Sequence, residues 1–118
     1  MVHSALFDNG QLTYRNRWVQ TDGFKEEDAA GQSTHFGIRE TLKGRSDKRL
    51  KDTANTDLVG HRGRALALWY MSGDAYEIDP VTLETLGKSP AISQTGGKIS
   101  AHAKVDEITE DLLFFDYG

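Results

Sequence analysis

Residues 56–71, Thr-Asp-Leu-Val-Gly-His-Arg-Gly-Arg-Ala-Leu-Ala-Leu-Trp-Tyr-Met, read as a strand, a tight turn and a second strand. Residues 56–60 form the first strand. His61, Arg62, Gly63 and Arg64 make the turn, and residues 65–71 make the second strand. Apolar and β-prone residues bounded by glycine are the mark of paired strands.

The same grammar extends in both directions. Downstream, Ser72, Gly73 and Asp74 make a turn before a strand at Tyr76–Ile78. Asp79-Pro80 starts a turn that carries residues 81–86, and Gly87 is expected to end that unit. A last hairpin is expected from residues 98–105, a turn over 106–111, and residues 112–117. Upstream, residues 2–7 are β-prone and meet Asn9-Gly10, a dipeptide that tolerates the positive φ of a two-residue hairpin. Residues 11–20 then alternate. Leu12, Tyr14 and Trp18 fall on one face and Thr13, Arg15 and Arg17 on the other, so a half-buried strand is expected. Residues 22–31 read as a helical turn or two, or as a structured loop, with Asp22 as cap and Gly31 as terminator. Residues 43–57 read as a long polar loop. Short strands with turns at intervals of about 8–12 residues imply a sandwich, a barrel or a propeller, and the pattern does not choose among them. No exact internal repeat is visible, although two hairpin units are similar.

Bulk composition narrows the function classes. A chain of 118 residues fits one domain. A net charge of −4 gives no global basic field, so no nucleic-acid partner is expected. The absence of cysteine excludes disulfides and thiolate metal sites. No stretch approaches the ~20 apolar residues of a spanning helix, and the N-terminus has no positive region of the signal-peptide kind. A cytoplasmic location is the expectation, although the lack of cysteine itself fixes no compartment. A strand begins at the first residue and an apolar strand finishes at the last, so residues 1–118 read as one segment truncated at both ends.

Four histidines, His3, His35, His61 and His102, are the metal-ligand candidates. No two stand at a local ligand interval. His61 falls in a turn and reads as solvated. His3 lies on a strand and His35 in a loop. His102, in Ser100-Ala101-His102-Ala103-Lys104, has small neighbours that leave room around an imidazole, and it reads either as a packed strand histidine or as a ligand. Gly87-Lys88-Ser89 imitates the end of a phosphate loop, but Thr82 stands where the first glycine is needed. The cluster Lys43, Arg45, Lys48, Arg49 and Lys51 is diluted by Asp47 and Asp52, and reads as a solvated loop before an anion site.

Four blocks, in order, carry a resemblance. They are Tyr14-Arg15-Asn16-Arg17-Trp18-Val19-Gln20-Thr21; Asn55-Thr56 with Gly63-Arg64-Ala65-Leu66-Ala67-Leu68-Trp69; residues 76–87, with Asp79-Pro80 and Thr82-Leu83-Glu84-Thr85; and Ser100-Ala101-His102-Ala103-Lys104-Val105-Asp106. Each is similar to a block of the carotenoid cleavage oxygenases, and together they span nearly the whole chain. The resemblance implies an all-β fold, part of a seven-bladed β-propeller, here one to two blades of antiparallel hairpins. It implies Fe(2+) held on the propeller axis by four histidines. His102 matches the first of these in chain order, and the other three would come from motifs beyond residue 118. Dioxygen and an apolar polyene or stilbene are the implied partners, with oxidative cleavage of a carbon–carbon double bond to two carbonyl products. Membrane contact is expected only through parts outside this segment. Two departures stand out. Ala103 replaces a proline, and Tyr70 stands where several members carry a glutamate that orients a ligand histidine; a phenol can accept the same ring N–H. The competing reading is a non-catalytic β-rich binding or scaffolding fragment without the metal.

Overall fold

The structure, a computed structural model, describes residues 1–37 and 50–117. Its elements are β1 (Val2–Asp8), β2 (Gln11–Arg17), α1 (Asp22–Ala30), β3 (Asp57–His61), β4 (Arg64–Leu68), β5 (Tyr76–Ile78), β6 (Thr85–Lys88), α2 (Pro90–Ser93), β7 (Lys104–Val105) and β8 (Leu112–Leu113). Strands β3 to β6 form one antiparallel sheet in sequence order, a four-stranded meander. Four-stranded sheets of this kind are the blades from which β-propellers are made. The remaining strands pair as two hairpins, β1–β2 and β7–β8.

The two tight hairpins follow from their turn residues. Asn9 (φ 47°) and Gly10 (φ 76°) link β1 to β2, and Arg62 (φ 47°) and Gly63 (φ 74°) link β3 to β4. Two successive residues at positive φ match the natural twist of the flanking strands.

Strand β4 is the centre of the molecule. Ala65 and Ala67 face one cluster with Val2, Val19, Ala54, Tyr76, Ile78 and Leu83. Leu66 and Leu68 face a second cluster with Ala75, Ile92, Ile99, Ala101 and Ala103. Both faces of the sheet are therefore covered, which is why β4 reads as an unbroken apolar run rather than an alternating one. Its successor Trp69 is also buried, and its carbonyl accepts Ala101 N–H at 2.8 Å.

A repeat emerges that the sequence only hints at. Asp79 Oδ1 accepts the N–H groups of Val81 and Thr82, and Asp79 N–H donates to Glu84 O at 2.9 Å. Asp106 Oδ1 accepts Ile108 and Thr109 in the same way, and Asp106 N–H donates to Asp111 O at 2.9 Å. Leu83 and Glu110 take the matching left-handed position, with φ of 62° and 59°. The links β5–β6 and β7–β8 are thus one turn used twice. The donated N–H groups hold both aspartates below the usual carboxylate range.

Several expectations need correction. The strand expected to be half-buried over residues 11–20 is exposed along all of β2; Leu12, Tyr14 and Trp18 stay more than half exposed. Alternation promises burial only where a second layer exists, and among the described residues the hairpin is covered at Val2 and Val19 alone. Thr21, not Asp22, caps α1, its hydroxyl accepting Phe24 N–H at 3.1 Å; Gly31 ends the helix in the left-handed conformation as expected. Gly87 lies inside β6 rather than ending it. Residues 98–105 hold only a two-residue strand, because Ile99 and Ser100 make single bridges to Gly73 and Trp69 instead of a ladder. Helix α2, with Pro90 in its first turn, was not foreseen. Of the basic cluster, residues 43–49 lie outside the described residues, and Lys51 is paired with Glu27. Lys88, in the phosphate-loop imitation, bridges Asp22 and Asp74.

The stretch before β3 is pinned by a buried carboxylate. Asp52 accepts Ala54 N–H and Asp74 N–H, both at 3.0 Å, joining it to the turn after β4. Burial pushes its carboxyl up from the ordinary range. A side chain at Gly73 would run into that carboxylate, so glycine is required there. No helix among the described residues is long and apolar enough to cross a membrane.

Candidate functional site

His102 stands between two buried alanines. Ala101 is 1% exposed and Ala103 4%, both in the cluster under β4, whereas His102 is exposed. Small side chains on either side sink the backbone into the core and leave the imidazole outside it. The residue precedes β7 rather than lying on a strand, and its φ of 72° is left-handed, a conformation that costs a non-glycine residue free energy. Asp57 Oδ2 accepts its backbone N–H at 2.8 Å.

The other three histidines are engaged. His3 Nδ1 lies 2.6 Å from Tyr14 Oη. His35, nearly buried, has Nδ1 3.1 Å from Thr34 Oγ1 and 3.3 Å from Glu27 Oε1. His61 Nε2 lies 3.0 Å from Glu110 O. Among the described residues only the His102 ring has neither nitrogen in a hydrogen bond. A free neutral imidazole suits iron and its neighbours as a ligand. No group of three or more metal-ligating side chains is arranged to hold an ion among the described residues.

Tyr70 is 39% exposed and packs edge-on to Trp69, with ring centroids 5.4 Å apart. Its backbone N–H donates to Thr56 Oγ1 at 3.0 Å, and its hydroxyl makes no hydrogen bond among the described residues. It lines a cleft of 690 Å³ together with Phe36, Leu50, Trp69, Asn55 and Lys51. That volume is of the size that holds a small organic ligand, and its aromatic wall suits an apolar one.

The polar end of the cleft is organised by Glu27. Its carboxylate pairs with Lys51 and accepts the N–H groups of Thr34 (3.1 Å) and His35 (3.2 Å). The Lys51 ammonium and these amides hold the Glu27 carboxyl down to about 2. The group favours the folded state while ionised. Its contribution is complete above pH about 4.5 and is lost as pH falls toward 2. Glu27→Gln should therefore lower the thermal midpoint at neutral pH and flatten its decline between those limits, as calorimetry at stepped pH would show. An equally steep decline in the variant would contradict this role.

Sequence reasoning passes over Asp57, Glu27 and this cleft. Glu27 and Lys51 are 24 positions apart, and Asp57 and His102 are 45 apart. No local pattern marks partners so distant.

Comparison with known proteins gives the family. The family model described as retinal pigment epithelial membrane protein matches residues 1–118. An isoeugenol monooxygenase of Pseudomonas nitroreducens is 40% identical over 119 residues, covering 98% of this chain and 24% of its own. Lignostilbene-alpha,beta-dioxygenase isozyme III of Sphingomonas paucimobilis is 34% identical over 127 residues, covering 100% of this chain and 24% of its own. The crystal structure of Pseudomonas brassicacearum lignostilbene dioxygenase superposes with a TM-score of 0.76 at 32% identity, over 98% of this chain and 24% of that one. The chain thus spans about a quarter of the length of the relatives it matches. With its whole length inside the family model and its strands superposing on a family structure, the chain belongs to the carotenoid cleavage oxygenase family and forms part of a seven-bladed β-propeller.

Proposed function

We propose that these residues are part of an Fe(2+)-dependent dioxygenase that cleaves a carbon–carbon double bond of a stilbene, carotenoid or apocarotenoid. The single observation that carries this reading is the free, outward-held imidazole of His102 within a family segment. His102 serves as one iron ligand, and the remaining ligands come from residues outside those described. Bound iron supplies the redox chemistry by which one dioxygen and one double bond become two carbonyl groups. The protein's own part is positional. Trp69, Phe36 and Leu50 give the cleft an apolar wall suited to a flat conjugated substrate. Tyr70, whose hydroxyl has no hydrogen-bond partner among the described residues, accepts the ring N–H of a ligand histidine in this reading and fixes its orientation.

The test is product analysis on protein expressed from its complete reading frame and incubated in air with a stilbene or an apocarotenoid. Two carbonyl fragments by mass spectrometry are expected, each with one oxygen from labelled dioxygen. A reading frame without further histidine motifs, or a complete protein that takes up no iron, would favour a remnant without the metal; intact substrate after incubation with the iron-loaded protein would overturn the cleavage activity.

A further inference from the structure

We infer that Asp57 is the positioning residue for His102: by accepting the His102 N–H, its carboxylate holds the left-handed backbone that presents the imidazole. This rests on the reading of His102 as an iron ligand.

The anchor is itself fixed. Asp57 opens β3 and pairs with Leu68, whose side chain is completely buried. The preceding residue, Thr56, donates its N–H to Leu68 O at 2.9 Å, and its hydroxyl takes the Tyr70 N–H. The carboxylate therefore leaves from a rigid strand end. A hydrogen bond to an ionised acceptor is shorter and stronger than a neutral one, and this one measures 2.8 Å.

The held residue needs such an anchor. At φ 72° His102 occupies a conformation that side-chain-bearing residues leave unless their surroundings fix it. Ala101 is fixed by its hydrogen bond to Trp69 O, and Val105 enters the β7–β8 pair. Between them, the bond to Asp57 is the one hydrogen bond that His102 makes among the described residues. Releasing it lets the peptide rotate toward negative φ and carries the ring off its line. A metal ligand must be held within a fraction of an ångström of its productive position. Asp57 thus acts on the metal through the backbone of His102, not by touching the ion.

The experiment uses protein expressed from its complete reading frame, as parent, Asp57→Ala, Asp57→Asn and His102→Ala. Two quantities are read: hydrogen exchange of the His102 amide without metal, and the apparent dissociation constant for Fe(II). Asp57→Ala should speed that exchange at least tenfold and weaken Fe(II) binding by about 10–100-fold, the range seen when partners of metal ligands are removed. Asp57→Asn retains a carbonyl acceptor and should recover most of both. The inference is overturned if Asp57→Ala leaves Fe(II) affinity within about twofold of the parent while His102→Ala abolishes binding; the ligand reading then survives alone. It is also overturned if Asp57→Asn folds yet restores neither quantity. Iron retained in His102→Ala sinks the ligand reading and this inference with it.

Discussion

In protein from the complete reading frame, His102→Ala should, on the proposed function, abolish iron binding and double-bond cleavage while leaving the fold as stable as before. The ring is exposed and touches no hydrogen-bond partner among the described residues, so its removal takes little from the folded state. Exposed substitutions of this kind change stability by no more than about 0.5 kcal/mol. His102→Gly sharpens the contrast. Glycine adopts φ 72° without penalty, whereas a side-chain-bearing residue there costs about 1–3 kcal/mol. The glycine variant should therefore unfold at an equal or higher urea concentration than the parent and bind no iron. Strain kept at a residue that the fold does not need is the signature of a functional position. A destabilised glycine variant with iron still bound would show that the conformation serves packing instead.

Leu68→Ala should have the largest effect on stability. Leu68 has no exposed surface and sits at the centre of the cluster that includes Leu66, Ile92, Ile99, Ala101 and Ala103. Deleting a buried leucine costs about 2–5 kcal/mol, because the cavity left behind collapses only in part. Total stabilities are about 5–15 kcal/mol, so this one change removes a large share. It also takes away the floor beneath Ala101 and Ala103, the residues that hold His102 outward. Iron affinity should fall along with the unfolding midpoint. Leu58 gives the control: it lies on the adjacent strand opposite Ala67 and is half exposed, so Leu58→Ala should stay within about 1 kcal/mol of the parent. Urea titration of both variants measures the difference. Equal losses would mean that the core does not lie where the structure puts it.

What could be read from sequence was local chemistry. The Asn9-Gly10 and Arg62-Gly63 turns were legible because few residue pairs accept positive φ twice in succession. The small residues around His102 were read as leaving room for an imidazole on a strand; in the structure the residue precedes β7, with Ala101 and Ala103 buried on either side of it. Burial itself was less legible. The alternation in β2 promised a covered face, but cover depends on residues far away in the chain, and Tyr14 and Trp18 remain open. The cap of α1 moved by one residue because Thr21 and Asp22 both carry capping oxygens, and only the buried Thr21 hydroxyl faces the helix N–H groups. Asp57 carries no local mark in the sequence. Its meaning depends on a backbone N–H 45 residues on, in a conformation that no spacing rule anticipates. The family resemblance pointed to His102; the structure adds its left-handed backbone and its hydrogen bond to Asp57.

Iron stoichiometry tests the central claim most directly. Metal would be quantified after anaerobic Fe(II) loading, on protein from the complete reading frame and on residues 1–118 alone. The account predicts about one iron per chain in the first and almost none in the second, since the described residues gather no group of three or more metal-ligating side chains. Full loading of residues 1–118 alone, or no iron in the complete protein, would contradict it.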